Sequence, residues 1–436
     1  MGPARHWHRF VPVLSNGFRN QFKLLYLSTR LVGWQATGKN KKADACIVNT
    51  CAVTGKAAMQ SRQAIRKLIR ENPGAQIIVT GCAAQVEKET FQDIHGVTAI
   101  VPHKEKHGIG GILTGMPSRD ERLIQPSPSE FPMAFTGKRT RPFLKIQDGC
   151  NAFCNYCIVP YARGRSRSMP VDQVVTAVQR LADQGYREIV LTGIHLGVYG
   201  LDFSPSSSLR DVLNHILDRT TIPRIRLSSI EPRELSDELI DLVANSPRLC
   251  GHFHIPLQSG DDHILREMGR PYDTELFKDR IEKIKQTLPE AGIGTDILVG
   301  FPGETDAHFE NGFSFINSLP VSYLHVFPYS PRKGTKAYLL EDRVADTDVK
   351  HRCAGFRRLG QEKRQTFARQ AMGTVQEVLV ETRRDRKTGL LIGFSSTYQH
   401  ICIEGADDLK NSIVSVRVKG VIEGEKLLGT TIDQGA

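Results

Sequence analysis

The spacing of apolar residues changes along the chain and predicts three kinds of segment. Between residues 142 and 371, short apolar runs alternate with segments in which apolar residues recur every three or four positions, as in 171–184. This alternation predicts β/α units around a parallel sheet, and about six units predict a partial barrel. The strand candidates are 143–147, 187–193, 224–229, 252–257, 294–299 and 322–327. Chemistry in such a barrel is expected on the loops at the carboxyl ends of the strands.

A smaller α/β pattern comes before the barrel. Residues 45–49 form a buried-strand pattern, 56–72 a helical one with a basic face, and 76–82 a second strand pattern. Strand, helix and strand predict a parallel βαβ unit, so Cys51 and Cys82 would follow neighbouring strand ends. Ligands in open α/β sheets bind at that edge. A shared site is therefore predicted, with two unrelated core cysteines as the alternative.

The C-terminal segment has strand periodicity. A charged helical pattern at 345–371 is followed by period-two alternation at 375–380, 398–403 and 413–419. This predicts a small antiparallel β-barrel, a fold that commonly binds nucleic acid, with a stability module as the alternative. The predicted organisation is an α/β domain at 1–115, an exposed Pro-rich linker at 116–141, a barrel at 142–371 and a β-barrel at 372–436.

Composition narrows the functional class. The formal net charge of +11 suits a polyanionic partner, although a basic enzyme without nucleic acid would share it. No apolar run is long enough to span a membrane, so no membrane association is expected. Nine unevenly spaced cysteines do not form a disulfide framework, which favours a cytoplasmic protein.

The first 43 residues contain no Asp or Glu and hold both tryptophans of the chain. A basic segment without acids can mimic a transit peptide. An altered gene start is an equally good explanation.

Cys150, Cys154 and Cys157 form the most informative motif, C-x3-C-x2-C. Three thiolates can hold three irons of a [4Fe–4S] cluster and leave the fourth iron open for a small molecule. A structural zinc site would need a fourth ligand. The spacing resembles the signature of radical S-adenosylmethionine (SAM) enzymes. That resemblance implies that SAM fills the open position, and that an electron from the cluster releases a 5′-deoxyadenosyl radical from it.

Polar and small residues at the predicted strand ends are candidates for binding SAM. Gly193 would let the ligand approach the backbone. Ser228, Glu231 and Gln258 could hydrogen-bond a ribose or an amine, although capping of strand or helix ends would also explain them.

The histidines and arginines near these ends are less specific. His195, His252 and His254 are interpreted as packed or hydrogen-bonded residues, because the last two share one strand face but lack a third partner. The alternating arginines after the cysteine motif are predicted to steer phosphates, with a solvated arm as the alternative; they are Arg163, Arg165 and Arg167.

From about residue 40 onward the motifs resemble those of the radical SAM methylthiotransferases. They are Asn49-Thr-Cys-Ala-Val-Thr54, Val79-Thr-Gly-Cys82, the Cys150 loop, Pro160-Tyr-Ala-Arg-Gly-Arg165 and Leu191-Thr-Gly-Ile-His-Leu-Gly197. The run 191–200 resembles most the branch that modifies N6-threonylcarbamoyladenosine beside the tRNA anticodon. Methylthiolation of isopentenyladenosine, methylthiolation of a ribosomal-protein aspartate, and an RNA-binding relic are the alternatives.

The resemblance implies cofactors and partners. One [4Fe–4S] cluster would be held by Cys150, Cys154 and Cys157, and an auxiliary one by three cysteines of the N-terminal domain, two of them Cys51 and Cys82. One SAM would donate a methyl group to sulfur, and a second would yield the radical that removes hydrogen from C2 of the adenine. A C-terminal TRAM-like barrel would grip the anticodon loop, and flavodoxin or ferredoxin would supply electrons.

One position departs from the family pattern. Aligning Asn20-Gln21 with the family's first auxiliary motif places Gly17 where its cysteine should be. Glycine cannot ligate iron, and Cys46 lies inside a predicted strand, away from the required loop. We therefore expect the chain to cleave SAM but to transfer sulfur poorly.

Overall fold

The computed structural model describes residues 42–113, 139–422 and 425–432, together with the backbone of two short strands nearer the N-terminus. The expectation about Gly17 and most of the predicted linker lie outside the described residues. Within the described part of the chain, no helix is both long and apolar enough to cross a membrane. The chain divides into two compact units, one of 1–136, 149–165 and 330–339, and one of the remaining residues.

The first unit contains a five-stranded parallel sheet in the order β2-β1-β3-β4-β5. Its strands are β1 (Arg9–Leu14), β2 (Gln35–Ala36), β3 (Ala45–Thr50), β4 (Gln76–Gly81) and β5 (Ala99–Val101). Its helices are α1 (Gly55–Glu71), α2 (Cys82–Val86), α3 (Lys88–Gln92), α4 (Ile109–Leu113) and α5 (Val159–Arg163). The predicted βαβ unit is therefore confirmed as β3-α1-β4.

Local sequence explains the bounds of α1. The Thr54 side chain caps its first turn by accepting a hydrogen bond from the amide of Ala57 at 3.2 Å. Ile65 and Leu68 are buried against the sheet, whereas the basic face stays in solvent. The helix ends at Glu71, because Pro73 disfavours helical backbone in Asn72, the residue before it.

The second unit contains the predicted partial barrel, in two three-stranded sheets of parallel strands with the orders β10-β9-β6 and β11-β12-β13. A bridge between Ile225 and Leu249 links them. The strands are β6 (Phe143–Lys145), β9 (Glu188–Thr192), β10 (Arg224–Leu227), β11 (His252–His254), β12 (Gly292–Val299) and β13 (Tyr323–Pro328), and a short hairpin adds β7 (Gln147–Asp148) and β8 (Arg167–Ser168). The helices are α6 (Val171–Asp183), α7 (Leu209–Arg219), α8 (Asp237–Asn245), α9 (Asp262–Glu267), α10 (Thr274–Thr287), α11 (Asp306–Ser318) and α12 (Asp346–Gln370).

The C-terminal strands close into a barrel in the order β14-β15-β16-β18-β17. They are β14 (Val375–Arg384), β15 (Leu391–Ser395), β16 (His400–Ile403), β17 (Ile413–Ile422) and β18 (Lys426–Thr431). The prediction of an antiparallel barrel is wrong at one place, since β16 and β18 pair in parallel. A closed ring with an odd number of strands cannot alternate direction throughout, so at least one parallel pair is required.

Buried arginines join this small barrel to β9 and β10. Arg226 donates to the carbonyl oxygens of Ser395 and Ser396, each at 2.9 Å. Arg224 donates to the carbonyls of Glu377 and Phe394, each at 3.2 Å. Both guanidinium groups also contact the fully buried carboxylate of Glu188, at 2.6 Å from Arg224 and 2.9 Å from Arg226.

The end of the predicted linker is not exposed. Thr140 is buried, and its hydroxyl accepts a hydrogen bond from the amide of Thr382 at 3.1 Å. Arg141 forms an ion pair with Glu381 at 3.0 Å. The β-barrel therefore fixes these residues, and the expectation of an exposed linker up to residue 141 is wrong at its last two positions.

Candidate functional site

The loop that carries Cys150, Cys154 and Cys157 is closed by its own backbone. The amide of Cys150 donates to the carbonyl of Gly164 at 3.1 Å, and the amide of Cys157 donates to that of Cys154 at 2.9 Å. Cys154 is buried, whereas Cys150 and Cys157 are half-buried. None of the nine cysteines, all of which lie among the described residues, is joined in a disulfide.

The loop also fits a cluster ligated by thiolates. The amide of Ala152 points at the Cys150 sulfur from 3.4 Å, and such N–H to sulfur contacts tune iron–sulfur clusters. Gly149 has φ +76°, and a Cβ there would lie 2.0 Å from the carbonyl oxygen of Arg165. The tight entry into the loop therefore requires glycine.

Cys51 and Cys82 follow the ends of adjacent strands, as the sequence predicts. Thr50 pairs with Gly81 in the register of β3 and β4, so the next residue of each strand is a cysteine. A Cβ on Gly81 would lie 2.3 Å from the Thr50 carbonyl oxygen, so this close approach needs glycine. The Thr50 hydroxyl fixes the edge further, donating to the carbonyl of Thr80 at 2.8 Å.

A buried arginine accompanies these two thiols. Arg163, the last residue of α5, donates from Nε to the Cys82 sulfur at 3.2 Å and is 3% exposed. Burial raises the pKa of the Cys51 thiol, and the charge of Arg163 partly opposes that shift. Arg163 is therefore not part of a phosphate-steering arm, whereas Arg165 is exposed.

Cys46 does not fit as a replacement ligand. It lies inside β3, fully buried in the apolar core with Val48, Ile77 and Phe91. Burial, reinforced by the charge of Glu71, raises the pKa of its thiol to about 11. Its thiol is therefore held protonated in the core, whereas iron binds thiolates.

The candidates for binding SAM in the second unit all lie at or just beyond strand ends, but their local environments differ. The position that a Cβ on Gly193 would take lies 2.8 Å from Oε1 of Gln147, which accepts a hydrogen bond from the amide of His195 at 2.8 Å. Protein packing is thus sufficient to require glycine here, independently of any ligand.

The Ser228 hydroxyl oxygen is buried and has no hydrogen-bond partner among the described residues. A buried polar atom without a partner costs free energy, which a ligand would recover. Glu231 is occupied by an ion pair with Arg270. Gln258 has φ +73°, and its backbone forms two hydrogen bonds with β12. Its amide donates to the carbonyl of Asp296, and its carbonyl accepts from the amide of Leu298, each at 2.8 Å.

The sequence did not reveal a cluster formed by His254, Asp296 and His325. His254 Nε2 lies 2.9 Å, and His325 Nδ1 3.2 Å, from Oδ1 of Asp296. Burial opposes ionisation of this carboxyl, but the two histidines hold the pKa of Asp296 well below its usual range. The statement that His254 lacks a third partner is therefore wrong, because the partners come from adjacent strands.

Of the other two histidines, His252 has a side-chain hydrogen bond, whereas His195 makes a close contact with a carboxylate. His252 Nε2 lies 2.8 Å from the Tyr323 hydroxyl, and His195 Nε2 lies 3.1 Å from Glu234. The signal for the missed cluster was the strand register, in which Asp296 directly faces His325.

Comparison with protein-family models and curated proteins finds two matching families and several similar full-length proteins. Residues 144–316 match the radical SAM superfamily, and 20–102 match the uncharacterized protein family UPF0004. The chain is 37% identical to threonylcarbamoyladenosine tRNA methylthiotransferase MtaB of Bacillus subtilis, over 88% of each chain. It is 35% identical to the Aquifex aeolicus protein of that name, covering 83% of this chain and 90% of the relative. A Clostridium botulinum tRNA-2-methylthio-N(6)-dimethylallyladenosine synthase is 33% identical over 88% of each chain.

Solved structures support the fold alone. The radical SAM methyltransferase TsrM of Kitasatospora setae gives a TM-score of 0.57 at 14% identity, covering 74% of this chain and 72% of that one. The cobalamin-dependent radical SAM enzyme OxsB gives a TM-score of 0.52 at 12% identity, covering 77% of this chain and 54% of that one.

Proposed function

The chain belongs to the radical SAM methylthiotransferase family, and we propose that it adds a methylthio group to C2 of N6-threonylcarbamoyladenosine next to the anticodon of tRNA. The observation that carries this proposal is the 37% identity, over 88% of each chain, to an enzyme named for that substrate. The enzyme named for dimethylallyladenosine, at 33%, supports the second candidate, methylthiolation of isopentenyladenosine.

Cys150, Cys154 and Cys157 would hold the [4Fe–4S] cluster. When bound, that cluster supplies the electron that cleaves SAM and so generates the adenosyl radical. Ser228 would hydrogen-bond SAM through its unpartnered hydroxyl. Gly193, Glu231 and Gln258 complete the proposed SAM contacts, with Arg270 positioning the Glu231 carboxylate.

Cys51 and Cys82 would supply two thiolates to the auxiliary cluster, with Arg163 positioning Cys82. The remaining ligand position of the family, which is the first along the chain, is Gly17 in this sequence, and glycine has no ligand atom in a side chain. The chain as written is therefore proposed to hold its SAM cluster more firmly than its auxiliary one. Anaerobic reconstitution should give about four irons per chain, and about eight would contradict this.

The C-terminal barrel is proposed to be a TRAM-like domain that grips the anticodon loop. Exposed Arg383 and Arg386 lie in and just after β14 and can contact phosphates. The target base lies in a single-stranded loop, so it can be splayed out and stacked without opening a duplex. A cytoplasmic location and reduction by flavodoxin or ferredoxin complete the proposal.

Purified enzyme tests the activity and the substrate together. The reconstituted chain should release 5′-deoxyadenosine from SAM under a strong reductant, and Cys154→Ala should not. With Gly17→Cys introduced to complete the auxiliary site, tRNA carrying threonylcarbamoyladenosine should gain the methylthio group. Product only on isopentenyladenosine would favour the second candidate. If 5′-deoxyadenosine is absent from every reaction, the chain is an RNA-binding relic.

A further inference from the structure

We propose that His254, Asp296 and His325 bind a divalent transition-metal ion inside the partial barrel. This site shares no residue with the cysteine sites or with the SAM contacts proposed above. Its three residues come from three adjacent strands, β11, β12 and β13. No role in the methylthiolation chemistry is needed to support the proposal.

The ligand atoms are already close to a coordination geometry. All three lie within 4.8 Å of one another, and the two nitrogen-to-oxygen edges measure 2.9 and 3.2 Å. A metal with bonds of about 2.0–2.2 Å to nitrogen and oxygen separates neighbouring ligands by about 2.9–3.5 Å. Both short edges fit that range. The His325 side chain is 49% exposed and can turn to shorten the remaining edge.

The donor set selects the class of ion. Two imidazoles and one carboxylate suit zinc, cobalt and ferrous iron, and three protein ligands leave coordination positions open. Both imidazoles already converge on one carboxylate oxygen, Oδ1 of Asp296. The ion would replace the two imidazole protons that now contact this carboxylate.

A tyrosine is placed to orient one ligand. The Tyr323 hydroxyl lies 3.3 Å from Nδ1 of His254, the ring nitrogen that does not face Asp296, and 2.8 Å from Nε2 of His252. Metal-binding histidines usually donate their second N–H to such an acceptor, which fixes the tautomer and the ring. His252 in turn stacks on the Tyr323 ring at an interplanar angle of 3°.

The surroundings leave room for further ligands. His325 and Tyr323 line a cavity of about 220 Å³, together with Arg364, Tyr398, His400 and Lys426. Waters or substrate oxygens in that cavity could take the open coordination positions. The two cations of its wall are paired with carboxylates, Arg364 with Glu425 at 3.0 Å and Lys426 with Asp385 at 2.8 Å. Their charges therefore oppose a bound ion less than isolated cations would.

Zinc binding to the full chain tests the site. The reconstituted protein, in which iron occupies Cys150, Cys154 and Cys157, is dialysed against micromolar zinc, and bound zinc is counted by mass spectrometry. Zinc held by Cys51 and Cys82 is common to all the variants and cancels in the comparison. We expect one more zinc per chain in the wild type than in Asp296→Asn or His325→Ala. Tyr323→Phe should weaken binding by about 10-fold or more, as removal of a hydrogen-bond partner from a metal ligand does. His400→Ala is the matched control, since His400 lines the same cavity but is not a ligand.

Two further measurements keep the result decisive. Circular dichroism of each variant checks folding, and the half-exposed His325 is the position least expected to disturb it. X-ray absorption at the zinc edge should show a nitrogen and oxygen shell. Equal zinc in the wild type and in both ligand variants, or a shell of sulfur, would overturn the proposal and leave the three residues as a hydrogen-bonded cluster.

Discussion

At the scale of single residues, the two small residues Gly193 and Ser228, both just after strand ends where SAM is predicted to bind, differ in their surroundings. The Cβ position at Gly193 is filled by Gln147, so that glycine is a packing requirement. The buried Ser228 hydroxyl oxygen forms no hydrogen bond with any described residue, so no such bond stabilises the fold through it. A sequence shows both as small residues at a strand end, and only the packing around them distinguishes structure from binding.

Ser228→Ala should weaken SAM binding without lowering stability. Removing a buried hydroxyl that lacks a partner is nearly neutral for folding, whereas losing one hydrogen bond to a ligand costs about 0.5–1.5 kcal/mol, or roughly 2- to 13-fold in affinity. Equilibrium dialysis of SAM against the reconstituted enzyme measures this. Ser229→Ala, at the exposed neighbouring position, is the control. Equal SAM affinity in Ser228→Ala and wild type would remove Ser228 from the binding site.

Gly193→Ala should destabilise the second unit. The added methyl meets the fully buried Gln147 at 2.8–3.0 Å, and such overpacking costs about 1–3 kcal/mol. Gly355→Ala, in the middle of α12, meets atoms only at 3.5 Å or beyond and should stabilise slightly. Thermal unfolding compares them. A melting temperature for Gly193→Ala at or above that of Gly355→Ala would mean that Gln147 moves aside easily.

At the scale of elements, the buried cluster of Glu188 with Arg224 and Arg226 joins the partial barrel to the small β-barrel. These three charged side chains lie on β9 and β10 and are buried. Besides Glu188, the acceptors of these guanidinium groups are carbonyls of the small barrel, Glu377 in β14, Phe394 and Ser395 in β15, and Ser396 just after it. Neither element therefore has a fully satisfied surface without the other, which argues that the two fold as one cooperative unit.

Glu188→Gln should lower the free energy of unfolding by about 3–5 kcal/mol at pH 7, because it leaves two buried guanidinium groups without their anion. Burial raises the pKa of Glu188, but Arg226, Arg224 and Arg141 outweigh it and hold the pKa below the ordinary value. A depressed folded pKa stabilises the protein above the unfolded pKa of about 4.3. That stabilisation is lost as the pH falls through the folded value.

Urea unfolding at several pH values measures both parts of this prediction. The difference in the free energy of unfolding between wild type and Glu188→Gln should stay constant above about pH 5 and become smaller below about pH 4. Glu290→Gln, at an exposed turn after α10, is the control and should change little at any pH. A gap that is independent of pH down to acid unfolding would show that Glu188 is not the titrating group.

At the scale of the whole molecule, sequence periodicity predicted most of the strands and helices, because burial on one face imposes a period that survives in the sequence. The cysteines were equally visible, because their spacing is local. The cluster of His254, Asp296 and His325 was not, since it depends on the register of three strands far apart in sequence. The parallel pair that closes the small barrel was also missed, because it follows from the closure of a ring of strands and not from the pattern within any one strand.

Binding of tRNA should be electrostatic and weaken steeply with salt. Replacing Arg383 and Arg386 by alanine should lower the slope of log affinity against log salt by about 0.7–0.9 for each phosphate that the protein no longer neutralises. Fluorescence anisotropy with labelled tRNA between 50 and 300 mM salt, roughly the range where the effect is large, measures the slope. Arg266→Ala with Lys278→Ala, at exposed positions on α9 and α10, is the control. An unchanged slope in the first variant would move the RNA-binding surface elsewhere.

Nucleoside mass spectrometry of tRNA tests the central claim most directly. The chain and its Gly17→Cys variant are expressed in cells that lack their own methylthiotransferase for threonylcarbamoyladenosine. The variant should produce 2-methylthio-N6-threonylcarbamoyladenosine, and the chain as written should produce much less. Methylthiolated isopentenyladenosine in its place, or no methylthio nucleoside even from the Gly17→Cys variant, would contradict the assignment of this chain to threonylcarbamoyladenosine in tRNA.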